Sequence, residues 1–228
     1  MANSYEMRKL NYYITFYMII VRGGTMNGFE RRRQQKMNQI RQAAFSLFSK
    51  YGIQKVSIQD IAKKANVSQV TIYNYFGSKD ELLLDALKEY FEEQLSTFEK
   101  IKNSSIPFTD KIKKIFAMKL EATQAISSEL MESLFTESGP IADLIQYYTS
   151  EKTVPQFMEF LDQGKELGVI SNEVSIDTIL LFLDSMTLAI KRHPQLLSTD
   201  EKMEKTTKEI LHFFFYGMVV PEKEQKKD

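Results

Sequence analysis

The chain has 228 residues, 43% hydrophobic and 26% charged, and its 30 basic side chains balance 30 acidic ones to a formal net charge of zero. That length fits one large domain or two small ones, and the composition excludes a disordered chain. The absence of cysteine excludes a disulfide scaffold, a thiolate metal site and a cysteine nucleophile, and zero net charge, taken alone, argues against a nucleic-acid partner.

Residues 1–29 differ in character from the rest of the chain. The apolar run from Asn11 to Val21 is shorter than the roughly 20 residues needed to cross a bilayer. Its basic approach (Arg8, Lys9) leads to Arg22-Gly23-Gly24 and not to a small-residue cleavage site, so neither a signal peptide nor a membrane anchor is expected. A ribosome-binding purine run read in frame would encode a Gly-Gly pair just before a start codon. Met26 is therefore read as the native start and residues 1–25 as an upstream extension.

From Glu30 the pattern is helical. Ile40, Ala43, Ala44, Leu47, Phe48 and Tyr51 recur at the spacing of one buried helix face, and Gly52 is placed to end that helix. Ser57 with Asp60 reads as a capping box opening a short helix whose inner face is Ile58, Ile61, Ala62 and Ala65. Asn66, which tolerates positive φ, breaks it. Ser68 caps a third helix from about Gln69 to Phe76, Gly77 closes it, and Ser78 with Glu81 opens a long fourth from Lys79 to about Ile101. Two short helices joined by a tight turn under a longer first one predict a helix-turn-helix. Further helices are expected at about 109–127, at 128–136, and from Ile141 to Leu167 with a kink at Pro155. The last two are expected from Ile176 to Arg192 and from Asp200 to about Gly217, the latter opened by Ser198 and Glu201. The tail from Pro221 to Asp228 is charged and expected to fray.

The fold expected is all-α. A three-helix, helix-turn-helix domain over residues 30–80 is followed by a second helical domain over 81–220, to which the family resemblance described below assigns ligand binding and dimerisation. The zero net charge divides along the same line. Residues 30–80 hold ten basic and three acidic side chains, a local charge of +7, which leaves −7 for the remainder. Phosphate neutralisation is the main source of non-specific DNA affinity. Basic charge and helix-turn-helix falling on the same fifty or so residues point to DNA.

The run Val56-Ser57-Ile58-x-x-Ile61-Ala62-x-x-Ala65-Asn66-Val67-Ser68-x-x-Thr71-Ile72-Tyr73-x-Tyr75-Phe76-x-Ser78-Lys79-Asp80-x-Leu82 resembles the N-terminal signature of tetracycline-repressor-like (TetR) regulators over roughly residues 34–90. Two positions depart from the usual pattern: Asn66 stands where Gly is common, and Val70 where a small residue is common. The resemblance implies a transcriptional regulator, most often a repressor, that binds a palindromic operator as a homodimer in the cytoplasm and is released by a small molecule. The alternative is a regulator controlled by a protein partner with no small-molecule ligand.

The third helix spans roughly 12 Å and can present only a handful of side chains to a major groove. Ile72 and Phe76 should pack inward, leaving Gln69, Val70, Thr71, Tyr73, Asn74 and Tyr75 on or near the outer face. Gln69 and Asn74 are candidates for base edges, because an amide pairs bidentately with adenine, and Val70 for a thymine methyl. Thr71, Tyr73, Tyr75 and Lys79 match positions that commonly touch phosphate in the family. Ser57, at a helix N-terminus, is a further phosphate candidate, and Ser68 a cap beside the DNA.

In the second half, Ile176 to Ile190 is apolar nearly all round, the mark of a helix buried on both sides. Met203, Thr207, Ile210, Leu211, Phe214 and Met218 form a stripe on the last helix. The resemblance implies that these two helices, about 176–192 and 200–217, make a four-helix dimer interface, with Asp184 at its seam. Phe116, Met118, Met131, Phe135, Tyr147, Phe157, Met158 and Met186 are candidates for a soft apolar pocket holding a hydrophobic or amphipathic effector. They fit an ordinary core equally well. The chain has no Ser/His/Asp arrangement and no Gly-rich phosphate loop, and its two histidines, His193 and His212, offer a poor metal site. No catalytic residue, metal or cofactor is expected.

Overall fold

The computed structural model describes residues 28–136 and 138–218. The N-terminal extension with its Met26 start, the charged tail, and the side chains of Phe135 and Met218 lie outside the described residues. Every regular element among those described is helical.

Helix α1 spans Gly28–Tyr51. The chain divides within it, between Gln39 and Ile40, into two units. In the first unit Arg33 pairs with Glu30 at 3.6 Å and Lys36 donates to Gln39 at 3.2 Å. Residues from Ile40 onward belong to the second. Ile40, Ala43, Ala44 and Phe48 are buried at the spacing expected of one helix face. Tyr51, expected on that face, is instead exposed, because the helix ends there and the face it would continue runs out. Gly52 takes φ +77° and donates its N–H to the Phe48 carbonyl at 2.9 Å. A Cβ there would stand 3.2 Å from Glu129 Cβ, so this turn needs glycine for conformation and for space.

Helix α2 (Ile58–Ala65) opens with both halves of the Ser57–Asp60 capping box and buries Ile58, Ile61, Ala62 and Ala65. Asn66 ends it at φ 50°, ψ 53°, the left-handed region that the side-chain amide tolerates. The next N–H, of Val67, returns to the Ala62 carbonyl at 3.0 Å. Helix α3 (Gln69–Phe76) is capped by Ser68, and helix α4 (Lys79–Lys102) by Ser78, whose hydroxyl accepts from the Glu81 N–H.

Beyond α4 come α5 (Phe108–Gln124), α6 (Ser128–Thr136) and α7 (Pro140–Tyr147). A π-helical turn, Tyr148–Thr153, leads into α8 (Val154–Glu166). The single kinked helix expected over 141–167 is therefore two helices with a wide turn between them. The Val154 N–H reaches back five residues to the Thr149 carbonyl, and Pro155, which has no N–H to give, opens α8. Helix α9 (Ile176–Arg192) matches expectation, while the 3-10 turn Pro194–Leu197 is an element that the periodicity does not predict. Helix α10 spans Asp200–Met218. Its first turn is capped by Thr199, which accepts from the Lys202 N–H at 3.2 Å. The Ser198 hydroxyl, expected to be the cap, donates to Gln195 in the preceding turn.

The core of this half is aromatic. Phe160 is fully buried, stacked on Phe108 at 4.6 Å and edge-on to Phe98 at 5.8 Å, and Phe214 meets Phe157 and Phe182 at 6.0 Å each. Gly164 makes that packing possible: a Cβ there would sit 2.6 Å from both Phe108 Cζ and Ile170 Cδ1.

Helix α9 departs most from expectation. Of its residues only Ile179 is buried, while Leu181 and Leu188 are 68% and 49% exposed and Asp184 lies exposed between them. The all-round apolar sequence thus covers the core on one side and leaves a solvent-facing stripe on the other. On α10, Phe214 and Phe215 turn inward whereas Phe213 and Tyr216 are about three-quarters exposed.

Candidate nucleic-acid interface

The binding element is built from the inside. Ile72 and Phe76 of α3 are buried, as expected, at 0% and 6% exposure, and their side fixes which residues face away. Gln69, Val70, Tyr73 and Asn74 are exposed, Val70 at 65% and Tyr73 at 50%, values unusual for apolar bodies that nothing covers. Thr71 and Tyr75 are half-buried, and the Tyr75 ring meets Phe76 edge-on at 6.4 Å. The six outer residues named from sequence therefore divide. Four stand fully out, and two flank the helix where hydroxyls can reach sideways.

The serines are engaged locally. Ser68 Oγ accepts the Thr71 N–H at 3.1 Å and lies 2.8 Å from Thr71 Oγ1. Ser57 Oγ accepts the Asp60 N–H at 3.2 Å and donates its single proton to the Asp60 carboxylate. The same carboxylate accepts the Ser57 N–H, and these bonds from the Ser57 side chain and backbone hold the Asp60 carboxyl below its ordinary value. A phosphate contact from the Ser57 hydroxyl would have to replace its bond to Asp60.

Lys79 is half-buried, its ammonium donating to the Ile53 carbonyl at 2.7 Å and lying 5.9 Å above the Phe48 ring. One of its three protons is thus committed to the loop before α2. Arg41 ties α1 to α4. Its guanidinium meets Asp85 at 2.6 Å and Glu89 at 3.9 Å and lies 5.9 Å from the Phe76 ring centroid. Burial pushes the Glu89 carboxyl up, with Arg41 pulling the other way.

Two features escaped the sequence. The first is an open groove of about 650 Å³ bordered by Leu47, Tyr51, Lys55, Asp60, Lys63 and Lys64, which gathers part of the basic charge on one side of α1 and α2. The second joins this region to the helices that follow α5. The Ser127 N–H donates to the Ser49 carbonyl at 2.7 Å, Lys55 lies 3.9 Å from Glu129, and the Ser128 N–H is capped by Asp200 at 2.9 Å. Ser127 carries a local signal as the N-cap of α6, accepting from the Leu130 N–H, but no short-range pattern points to Ser49 or Asp200.

The effector-pocket candidates scatter. Phe116, Met118 and Phe157 join one cluster around Phe160, while Met131, Met158 and Met186 are half-buried. Tyr147 faces outward at 47% exposure.

A short capped helix with apolar residues locked inward and amide, aliphatic and phenol groups outward, set beside a second short helix across a tight turn, defines a helix-turn-helix DNA-binding protein. Residues 40–86 match the model of the family described as bacterial regulatory proteins, tetR family. The match takes in the whole helix-turn-helix segment, from Ile40 in α1 to Ala86 in α4. Among known relatives, the HTH-type transcriptional repressor DhaR of Mycobacterium sp. (strain GP1) is 25% identical over 141 residues, covering 60% of this chain and 71% of DhaR. A TetR transcription regulator from Haloarcula marismortui superimposes with a TM-score of 0.65 at 16% identity, over 82% of this chain and all of the other. The regulator FadR from Bacillus subtilis, solved in complex with stearoyl-CoA, gives 0.57 at 17% identity, over 79% of this chain and 98% of that one. No helix among the described residues is long and apolar enough to cross a membrane.

Proposed function

We propose that the protein is a cytoplasmic repressor that binds a two-fold symmetric operator as a homodimer and leaves it when a small hydrophobic or amphipathic effector binds the second half. The observation that carries the reading is the pairing of two exposed surfaces. One is the outer face of α3, with Gln69, Val70, Tyr73 and Asn74 uncovered. The other is the stripe of Leu181, Leu188, Phe213 and Tyr216 on α9 and α10, a set of large apolar side chains left facing solvent in one protomer. Closing that stripe against a second copy would pair two recognition helices, as half-sites roughly 34 Å or more apart require. Gln69 and Asn74 then read base edges, Val70 meets a methyl group, and Thr71, Tyr73, Tyr75 and Lys79 hold phosphates.

The effector half of the proposal rests on the soft aromatic cluster of Phe116, Met118 and Phe157 around Phe160, and on likeness to a fold that holds stearoyl-CoA in the B. subtilis regulator. DhaR, named a repressor, supports the sign of regulation. The effector would bias the population between DNA-competent and incompetent states through α4 and the α6 contact with Ser49. The test is a gel shift on the DNA upstream of the protein's own gene, at rising salt and with a panel of acyl-CoA thioesters. A retarded complex on a palindromic segment, weakened by salt and dissolved by an acyl-CoA, is expected. No complex at low salt would overturn the DNA assignment; a complex indifferent to every thioester would overturn the effector class.

A further inference from the structure

An open groove of about 610 Å³ runs between α4 and the π-helical turn after α7. Glu92, Leu95 and Glu99 line it from α4, and Tyr147, Tyr148 and Lys152 from the other wall. The two phenol rings stand edge to face, 5.4 Å apart at 86°. Tyr148 is anchored: its hydroxyl donates to Glu92 at 3.0 Å, its ring stacks on Phe91 at 5.1 Å, and burial together with the Glu92 bond pushes its phenol above the ordinary value. Tyr147 is 47% exposed and offers an open ring face.

That face already holds a cation. Lys152 Nζ lies 5.5 Å from the Tyr147 ring centroid, within the range at which an ammonium is attracted to the ring's negative face. The π-helical turn explains the placement, because its i to i+5 pairing sets residue 152 over residue 147. Lys152 is an exposed side chain with no ion-pair partner among the described residues, so it can leave without breaking the fold. With Lys152 swung out, the groove keeps a fixed phenol, an open ring, two carboxylates seven residues apart on one helix face, and Leu95 as an apolar floor. Lys88 at the edge offsets one of those charges.

The geometry points to a binding site in this groove for a small primary ammonium compound with an apolar body, its ammonium taking the position that the Lys152 ammonium holds over Tyr147. The effector candidates share only Tyr147 with it, so the site stands apart from the core pocket and does not depend on the effector proposed above.

The test uses three probes of one shape and different charge on the full-length protein: cyclohexylmethylammonium, cyclohexylmethanol and cyclohexanecarboxylate. Calorimetry is the readout, with the summed fluorescence of the chain's eleven tyrosines, unmasked by tryptophan, as the second. The ammonium should bind more tightly than the alcohol, and the carboxylate least. Lys152→Ala should tighten the ammonium roughly 3-fold by removing the resident competitor, and Tyr147→Leu, which leaves the net charge unchanged, should weaken it by a similar factor. Equal binding of the ammonium and the alcohol would overturn the site, as would no ammonium binding to wild type and Lys152→Ala alike. Both side chains being exposed, neither variant threatens folding, and an unchanged affinity in either one contradicts the placement over Tyr147.

Discussion

Replacing Lys79 with methionine separates two roles that one side chain combines. Methionine keeps an unbranched apolar side chain and removes the ammonium, which lies 5.9 Å from the Phe48 ring. In the structure that ammonium donates to the Ile53 carbonyl at 2.7 Å. A hydrogen bond to a charged group contributes roughly 1.5–3 kcal/mol to stability, so Lys79→Met should lower the unfolding free energy by about that much, seen in urea as a lower midpoint at unchanged slope. The second role, proposed above, is phosphate binding. Each phosphate contact contributes roughly 0.9 to the slope of log K against log salt, so a symmetric dimer losing one per protomer should lose roughly 1.8. Fluorescence anisotropy at several salt concentrations measures that slope, and the ranking of operator sequences should stay the same because phosphate contacts carry no base information. A destabilised variant with an unchanged salt slope would make Lys79 a structural tether alone. A shallower slope with unchanged stability would mean that the Ile53 bond does not form in solution.

Particular contacts carry three further expectations. Leu181→Glu places a carboxylate on the exposed α9 stripe of each protomer, next to Asp184; sedimentation should show monomer where wild type is a dimer, with operator affinity at least ten-fold weaker, and an unchanged dimer would remove α9 from the interface. Gly52→Ala forces a side chain into the left-handed region at a cost of roughly 1–2 kcal/mol and crowds Glu129, so the thermal midpoint should fall by roughly 2–4 °C for each kcal/mol; an equal or higher midpoint contradicts the geometry of this turn. Asp60 has its carboxyl held below the ordinary value of 3.8 by the Ser57 bonds, so its contribution is complete above that value and is lost as pH falls through it toward the lower folded one. The stability gap between wild type and Asp60→Asn should therefore be full at neutral pH and close in acid, and a gap that does not change with pH would show that the Ser57–Asp60 box is not formed.

The DNA-binding half was legible in sequence because its determinants are local. Ser57, Ser68 and Ser78 each cap the helix that starts beside them, Asn66 marks a left-handed residue, and the inward pair Ile72 and Phe76 lies four apart. All of these act within one turn of chain. The second half was legible only as helices. The π-helical turn before Pro155 depends on how α7 and α8 pack, which no single-helix periodicity encodes. The apolar run of α9 reads as buried on both sides because sequence reports hydrophobicity but not what covers it, and Leu181 and Leu188 are exposed. In sequence Lys79 looks like a surface donor, while Ser57 already reads as the partner of Asp60 in a capping box. The structure gives each a partner, the Ile53 carbonyl and Asp60, that spacing alone identifies for Ser57 and not for Lys79. The zero net charge is likewise a sum over two regions of opposite sign, and an acidic remainder of −7 favours approach to DNA with the basic side first.

The central claim is that α3 reads base sequence through its outer face, once per protomer of a symmetric pair. Selection of bound sequences from a random duplex pool, run in parallel for wild type and Gln69→Ala, tests it most directly. Wild type should enrich a motif with two-fold symmetry, and Gln69→Ala should relax or change preference at one base position in each half-site while leaving the half-site spacing intact. An enriched motif without symmetry, or identical motifs from both proteins, would contradict the account.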